Sequence, residues 1–212
     1  MRVDVFTDLV CPWCWLGKRR LDAALAARPG LAAEVHYWPF ELAPQMPEGG
    51  LAREEYLAAK LGGTEALREA QARLAELGAA EGIGFRFDLA RLSPNTRAAH
   101  ALSRIAAEHG RQAAVQEGLF SAFFAEGRDI GDLDTLAAVA GAAGLDAAAV
   151  RARLASRADW PAIEALQREG AGLGIRGVPF FVFDRRVAVS GAQPAAALLE
   201  IIDRLAPAAA NA

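Results

Sequence analysis

Hydrophobic and polar residues change their spacing five times along this chain of 212 residues. At the start, "RVDVFT" (2–7) alternates Val3, Val5 and Thr7 against Asp4 and Phe6, the period of a β-strand. After Cys11-Pro12 the period lengthens. "WCWLGKRRLDAALAA" puts Leu21 and Leu25 four apart and stops at Arg28-Pro29-Gly30, which reads as a helix with Pro12 in its first turn. "AEVHYWPFEL" (33–42) reads as a second strand, so the first 42 residues make a β-α-β unit with parallel strands and a right-handed crossover. From about 44 to 174 one helical pattern follows another. "TEALREAQARLAELGAA" sets Leu67, Ala70, Leu74 and Leu77 on one face, and "SPNTRAAHALSRIAAEHG" opens with Ser93 as N-cap and Pro94 at the first helical position. Strand character then returns in "GVPFFVFDRRVAVSG" (177–191), a Phe-rich run, an Asp-Arg-Arg turn and Val187-Ala188-Val189, read as an antiparallel hairpin. "QPAAALLEIIDRLA" closes as a helix with Leu198, Ile201, Ile202 and Leu205 inward. The order βαβ, helical block, ββα predicts an α/β sheet with an inserted helical subdomain at 44–174, the sheet domain being 1–43 and 175–212.

Composition narrows the function. A formal net charge of -3 offers no basic field for nucleic acid or anionic lipid. No run approaches the roughly 18 apolar residues of a membrane span, and "MRVDVFTDL" lacks the apolar segment of a secretory signal. The expectation is a cytoplasmic protein that binds neither membrane nor nucleic acid, with its oligomeric state unassigned.

The two cysteines of the chain, Cys11 and Cys14, lie three positions apart with two residues between them. Zinc needs about four ligands, and the three histidines, His36, His100 and His109, have no paired spacing, so no metal site is expected. As a structural disulfide, so short a loop would constrain the unfolded chain little. Electron exchange has a mechanism. A sulfur at the start of the Pro12 helix meets unpaired N–H groups and the positive end of the dipole, which favour thiolate and make Cys11 a nucleophile. Cys14, one turn on and less exposed, is placed to resolve a mixed disulfide. Trp13, between them, offers substrates an apolar shelf, with Pro12 beside it, while Trp15 reads as core. "GKRRLD" (17–22) reads as a basic, solvated helical turn that would favour the thiolate further.

These residues carry a resemblance. Cys11-Pro12-Trp13-Cys14, Gly177-Val178-Pro179 and Ser190-Gly191-Ala192-Gln193-Pro194, in this order around a helical insertion, resemble the DsbA-like branch of the thioredoxin fold, in particular its cytoplasmic FrnE-like members. The resemblance implies a thioredoxin fold and a thiol–disulfide oxidoreductase acting on protein or small-molecule thiols. It also implies that Pro179 is a cis-proline facing the cysteine pair, with Val178-Pro179 shaping the substrate contact. From the residues alone, Pro179 reads equally as a strand-initiating proline at an edge. No bound cofactor is required, and glutathione is a candidate co-substrate. One position departs from the family: six residues before the first cysteine, where thioredoxins carry a buried acid, stands Val5. Asp8 is nearer the motif, as a proton acceptor or as a local cap or solvated turn residue. "PNTRAAHAL" also resembles a stretch of FrnE-like proteins. Asn95 there is a cleft-facing amide or helix-start chemistry, and His100 a cleft residue or a solvated one. The alternative function is a glutathione-dependent isomerase or transferase acting on a small aromatic or polyketide-like molecule; those relatives typically carry serine in place of the first cysteine. A third reading is a binding module whose cysteines are incidental. The helical block is expected to line a groove over the pair and set substrate choice.

Overall fold

The computed structural model describes residues 1–206. Strand β1 (Arg2–Thr7) leads through a tight bend to helix α1 (Pro12–Ala26), and β2 (Glu34–Pro39) returns parallel to β1, with Val5 opposite Tyr37. The expected strand at 33–42 is shorter because its partner ends: Phe40 donates to the Thr7 carbonyl at 3.0 Å, and β1 has no further rungs to offer. Much later, β5 (Phe180–Phe183) lies antiparallel against the other edge of β1, and β6 (Val187–Ser190) pairs with β5. The sheet order is β2-β1-β5-β6. The three-residue hairpin loop, Asp184 to Arg186, puts Asp184 and Arg185 at φ 47° and 56°, a left-handed pair that lets the Arg186 N–H reach the Phe183 carbonyl at 2.9 Å. Asp184 Oδ1 accepts the Arg2 N–H at 2.6 Å, which ties that turn back to β1.

Alternation along β1 divides its residues between two cores. Val3 and Val5 join Leu21 and Ala24 of α1, Phe181 and Phe183 of β5, and Leu198, Ile201 and Ile202 of the final helix α9 (Ala195–Leu205). On the opposite face Phe6 stacks with Trp38 and meets Phe180 edge-on. The chain tail from residue 207, including the alanine-rich end, lies outside the described residues.

Between β2 and β5 runs the helical insertion: α2 (Arg53–Leu61), α3 (Thr64–Ala80), α4 (Arg97–Glu108), α5 (Gln112–Phe124), α6 (Leu133–Ala142), α7 (Ala147–Ser156) and α8 (Trp160–Gly172). This is an α/β thioredoxin fold with a large helical insertion between core strands. Asp132 and Asp146 cap α6 and α7 by accepting the N–H three residues on. One expectation fails here. Ser93 and Pro94 do not start a helix; Ser93 belongs to a two-residue strand β4 (Leu92–Ser93) that pairs with β3 (Leu51–Ala52). Helix α4 begins only at Arg97, because Asn95 takes up the capping work: its Oδ1 accepts the Arg97 N–H at 3.0 Å and its amide donates to the Met46 carbonyl at 2.7 Å.

Trp15 joins sheet and insertion. It leaves α1, stacks on Phe120 and Phe124 and meets Phe85 edge-on, with ring centroids 5.4–6.1 Å apart. Its indole N–H donates to Glu117 of α5 at 3.0 Å. Truncating so large a buried ring removes both its area and its shape from one core. Trp15→Ala should lower unfolding free energy by about 3–5 kcal/mol, read as a shift of the urea midpoint followed by far-ultraviolet circular dichroism.

Candidate active site

The site is built where β1 stops. Cys11 is the N-cap of α1, extended at φ -94° and ψ 109°, with Pro12 supplying the first helical turn at no loss of a hydrogen bond. Its N–H donates to the Asp8 carbonyl at 3.1 Å, and its own carbonyl accepts the Cys14 N–H at 3.0 Å. The two cysteines are therefore fixed by their backbones one turn apart. Both are thiols and both are buried, Cys11 5% and Cys14 2% exposed. They lie in the same core as Leu9, Trp15 and Leu16, with Val10, Val178 and Ala192 half-buried around it. Trp13 points outward at 36% exposure, and Pro12 is half-buried.

The Cys11 thiol faces the Val178 carbonyl at 3.7 Å, and the Val178–Pro179 peptide bond is cis. Residues 167 positions apart thus meet at the sulfur. Gly17 makes the approach possible. A Cβ built there would sit 2.9 Å from Pro179 Cγ and 3.1 Å from the Phe181 ring, so α1 can lie against the proline only without a side chain at 17.

Cys14 is held differently. Burial raises the pKa of its thiol well above the ordinary value, and the neighbouring Cys11 side chain raises it further by hydrogen bond and by charge. Against these, the Thr7 side chain and the Asp8 backbone favour its thiolate. Asp8 itself is no solvated turn residue. Its carboxylate accepts the Leu42 N–H at 2.7 Å and lies 3.3 Å from His100 Nε2, and both side chains are 1% exposed. His100 is therefore a buried partner of the motif, not a surface histidine, because α4 packs across the end of β1.

Asn95, with both ends of its amide engaged as described, borders a different cavity with Glu48, Arg157 and Trp160. The basic turn is not a solvated face either. Lys18 is buried and paired with Asp22 and Glu117, Arg19 with Glu117, and Arg20 with Glu81 and the Ala192 carbonyl. These charges are neutralised locally and hold α1 to α5 and to the segment after β6. A small cavity of about 60 Å³ opens beside the motif, between Asp8 and Val10 on one side and Tyr56, Leu57 and Phe123 of the insertion on the other. Among the described residues no cluster of three or more His, Cys, Asp or Glu side chains is placed to hold a metal ion, and no helix is long and apolar enough to cross a membrane.

Thr7 and Gly17 escaped the sequence reading. Gly17 had a signal, since a glycine inside a helix loses about 1 kcal/mol against alanine and asks for a reason. Thr7 had none.

Comparison with known proteins agrees with this geometry. A family model described as a DSBA-like thioredoxin domain matches residues 2–203. The crystal structure of a probable DsbA oxidoreductase from Streptomyces coelicolor is 38% identical and superposes with a TM-score of 0.88, over 96% of this chain and 89% of that one. The uncharacterized protein YwbO of Bacillus subtilis (strain 168) is 27% identical over 161 residues, 74% of this chain and 73% of YwbO. The cytosolic disulfide reductase DsbM from Pseudomonas aeruginosa, in a structure with GSH, shares the fold at 22% identity and a TM-score of 0.69, over 97% of this chain and all of that one (100%).

Two outcomes test the geometry. Gly17→Val should destabilise by about 1–3 kcal/mol through overpacking against Pro179 and should slow the reaction of Cys11 with a disulfide; unchanged stability would contradict the contact. The raised Cys14 pKa gives a pH signature. Its thiol ionises near pH 8.5 in the unfolded chain but remains protonated in the fold, so its contribution is complete below that pH and is lost as pH rises toward the folded value. The reduced protein should therefore lose stability above about pH 8.5 more steeply than the Cys14→Ala variant, by urea titration at each pH.

Proposed function

Because this chain belongs to the DSBA-like thioredoxin family and is a thiol–disulfide oxidoreductase, we propose that Cys11 is its attacking sulfur and Cys14 its resolving one. The observation that carries the assignment is the asymmetry of the pair. Cys11 caps a helix against the Val178 carbonyl, whereas Cys14 is sealed behind it with its thiol stabilised by burial. In the first step the Cys11 thiolate attacks a disulfide R–S–S–R′, forming Cys11–S–S–R and releasing R′S⁻. In the second, Cys14 attacks the Cys11 sulfur, the bond to R breaks, and RSH leaves with the electrons of the pair. The reverse sequence oxidises a dithiol. Pro12, Trp13, Val178 and Pro179 form the surface on which the substrate lies, Trp13 being its exposed apolar part.

Residues 1–43 and 175–212 form the redox domain in this reading, and 44–174 the block that governs which substrates reach the sulfur. The partner is a thiol or disulfide, with no bound cofactor needed for the exchange. Glutathione is the co-substrate we favour among small thiols, supported by the structure of DsbM with GSH. That protein's cytosolic description supports a cytoplasmic assignment here too. A transferase or isomerase reading gains nothing from the site, since both sulfurs are present.

Cys11→Ser should reduce insulin-disulfide reduction with dithiothreitol, and oxidation of a model dithiol peptide, to background. Cys14→Ala should instead accumulate mixed disulfides, and incubation with oxidised glutathione should leave a glutathione adduct on Cys11 by mass spectrometry. Turnover by Cys11→Ser equal to that of the unaltered protein would overturn the assignment, and an adduct on Cys14 in the Cys11→Ser protein alone would reverse it.

A further inference from the structure

Cys14 must lose its proton before it can attack, yet burial and Cys11 both hold the proton on. On the strand, Asp4 is held by Arg2 and the Trp38 indole, and Val5 stands where a strand acid would, buried in the core between the sheet and α1. The acid nearest the pair in the sequence is Asp8, whose carbonyl accepts the Cys11 N–H at 3.1 Å and whose backbone favours the Cys14 thiolate. That contact places the buried Asp8 side chain, 1% exposed, at the bend from which the cysteine pair starts.

What Asp8 is paired with sets it apart from the other buried charges. Glu41 is held by two nitrogens of Arg97, Asp159 by Arg104 and Arg153, and Lys18 by Asp22 and Glu117. Those are fixed ion pairs. Among the described residues the Asp8 carboxylate has no arginine or lysine partner; its only side-chain partner is His100. Imidazole is the side chain that gains and loses a proton near neutral pH. Asp8 borders the 60 Å³ cavity beside Val10, large enough for water, while His100 borders another of about 170 Å³ with Ser103 and His36. The other charged groups near the pair are Arg97 and Arg104 on α4, which are engaged as described; Arg53, Tyr56 and Lys60, which line the Asp8 cavity from α2; and His36, which lines the cavity behind His100.

We propose that Asp8 and His100 act together as the proton acceptor for Cys14, Asp8 taking the proton and His100 positioning and recharging it. The inference rests on the roles of Cys11 and Cys14 given above. When Cys14 attacks, its S–H bond breaks and the proton passes to the Asp8–His100 couple. The new S–S bond forms to Cys11, the Cys11–S–S–R bond breaks, and the couple returns the proton to RS⁻ as RSH. No outside oxidant or reductant enters this step.

The test separates the two chemical steps with one equivalent of 5,5′-dithiobis(2-nitrobenzoate), whose coloured thiolate appears once for each step in stopped flow. This leaving group needs no proton, so the second phase reads the deprotonation of Cys14. Asp8→Asn should leave the first phase within about twofold and slow the second by about 10²- to 10⁴-fold, the range of a lost general base. The second phase in that variant should rise about tenfold per pH unit, where the unaltered protein levels off. His100→Gln, which keeps a hydrogen-bond donor on Asp8, should slow the second phase alone, and Asp8→Glu should recover part of it. Loss of both phases together, or of neither, would overturn the proposal. So would His100 ring ¹⁵N signals in the unaltered protein that are the same in dithiol and disulfide forms, a measurement that needs no variant to fold. Failure of the underlying reading looks different: the first phase would survive in Cys11→Ser.

Discussion

Strand β1 is buried on both faces, and its C-terminal end can therefore occupy only one place. Val3 and Val5 are packed under α1 and α9, Phe6 against Trp38 and Phe180, and each edge is paired, one with β2 and one with β5. Because the strand cannot shift register without turning its apolar residues to the wrong core, the bend at Asp8 is set, and with it the start of α1. The cysteine pair inherits its position from that constraint. The Asp8 carbonyl fixes Cys11, and Thr7 and the Asp8 backbone favour the Cys14 thiolate, as direct consequences of where the strand ends.

The pair is asymmetric for reasons of environment. Two thiols in one core, three residues apart, would behave alike in water. Here one faces a carbonyl near the surface formed by Trp13 and Val178, and the other is enclosed, with its charged form penalised by burial and by its neighbour. The proposed roles of the two sulfurs rest on that difference. The helical insertion adds a second contribution. Its α5 phenylalanines pack on Trp15 of α1 in the core that also holds Cys14, and it brings His100 onto Asp8. An insertion read only as a source of specificity thus also supplies part of the environment in which the sulfur titrates.

Local pattern was a reliable guide where an element answers to its own residues. The alternation of β1, the Pro12 start of α1 and the Asp-Arg-Arg turn all express short-range sterics and hydrogen bonding. It failed at Ser93-Pro94. That dipeptide has the chemistry of a helix start, but Leu92 and Ser93 found a strand partner in Leu51 and Ala52, and Asn95 supplied the cap two residues later. It failed too for "GKRRLD", because a run of cations looks solvated until the carboxylates of Asp22, Glu81 and Glu117 are placed against it.

The amino-acid sequence by itself determined the order of elements, the insertion between sheet halves and the chemistry of Cys11-Pro12-Trp13-Cys14, since each depends on spacing within a few residues. Only the tertiary structure decided what surrounds the sulfurs. Val178 comes from 167 residues away, His100 from 92 residues beyond Asp8, and Glu117 from 102 beyond Trp15. Burial and pairing are properties of groups that meet across the fold. A titratable side chain therefore shows its type in the sequence, while its partner, and with it its use, exists only once the chain has closed around it.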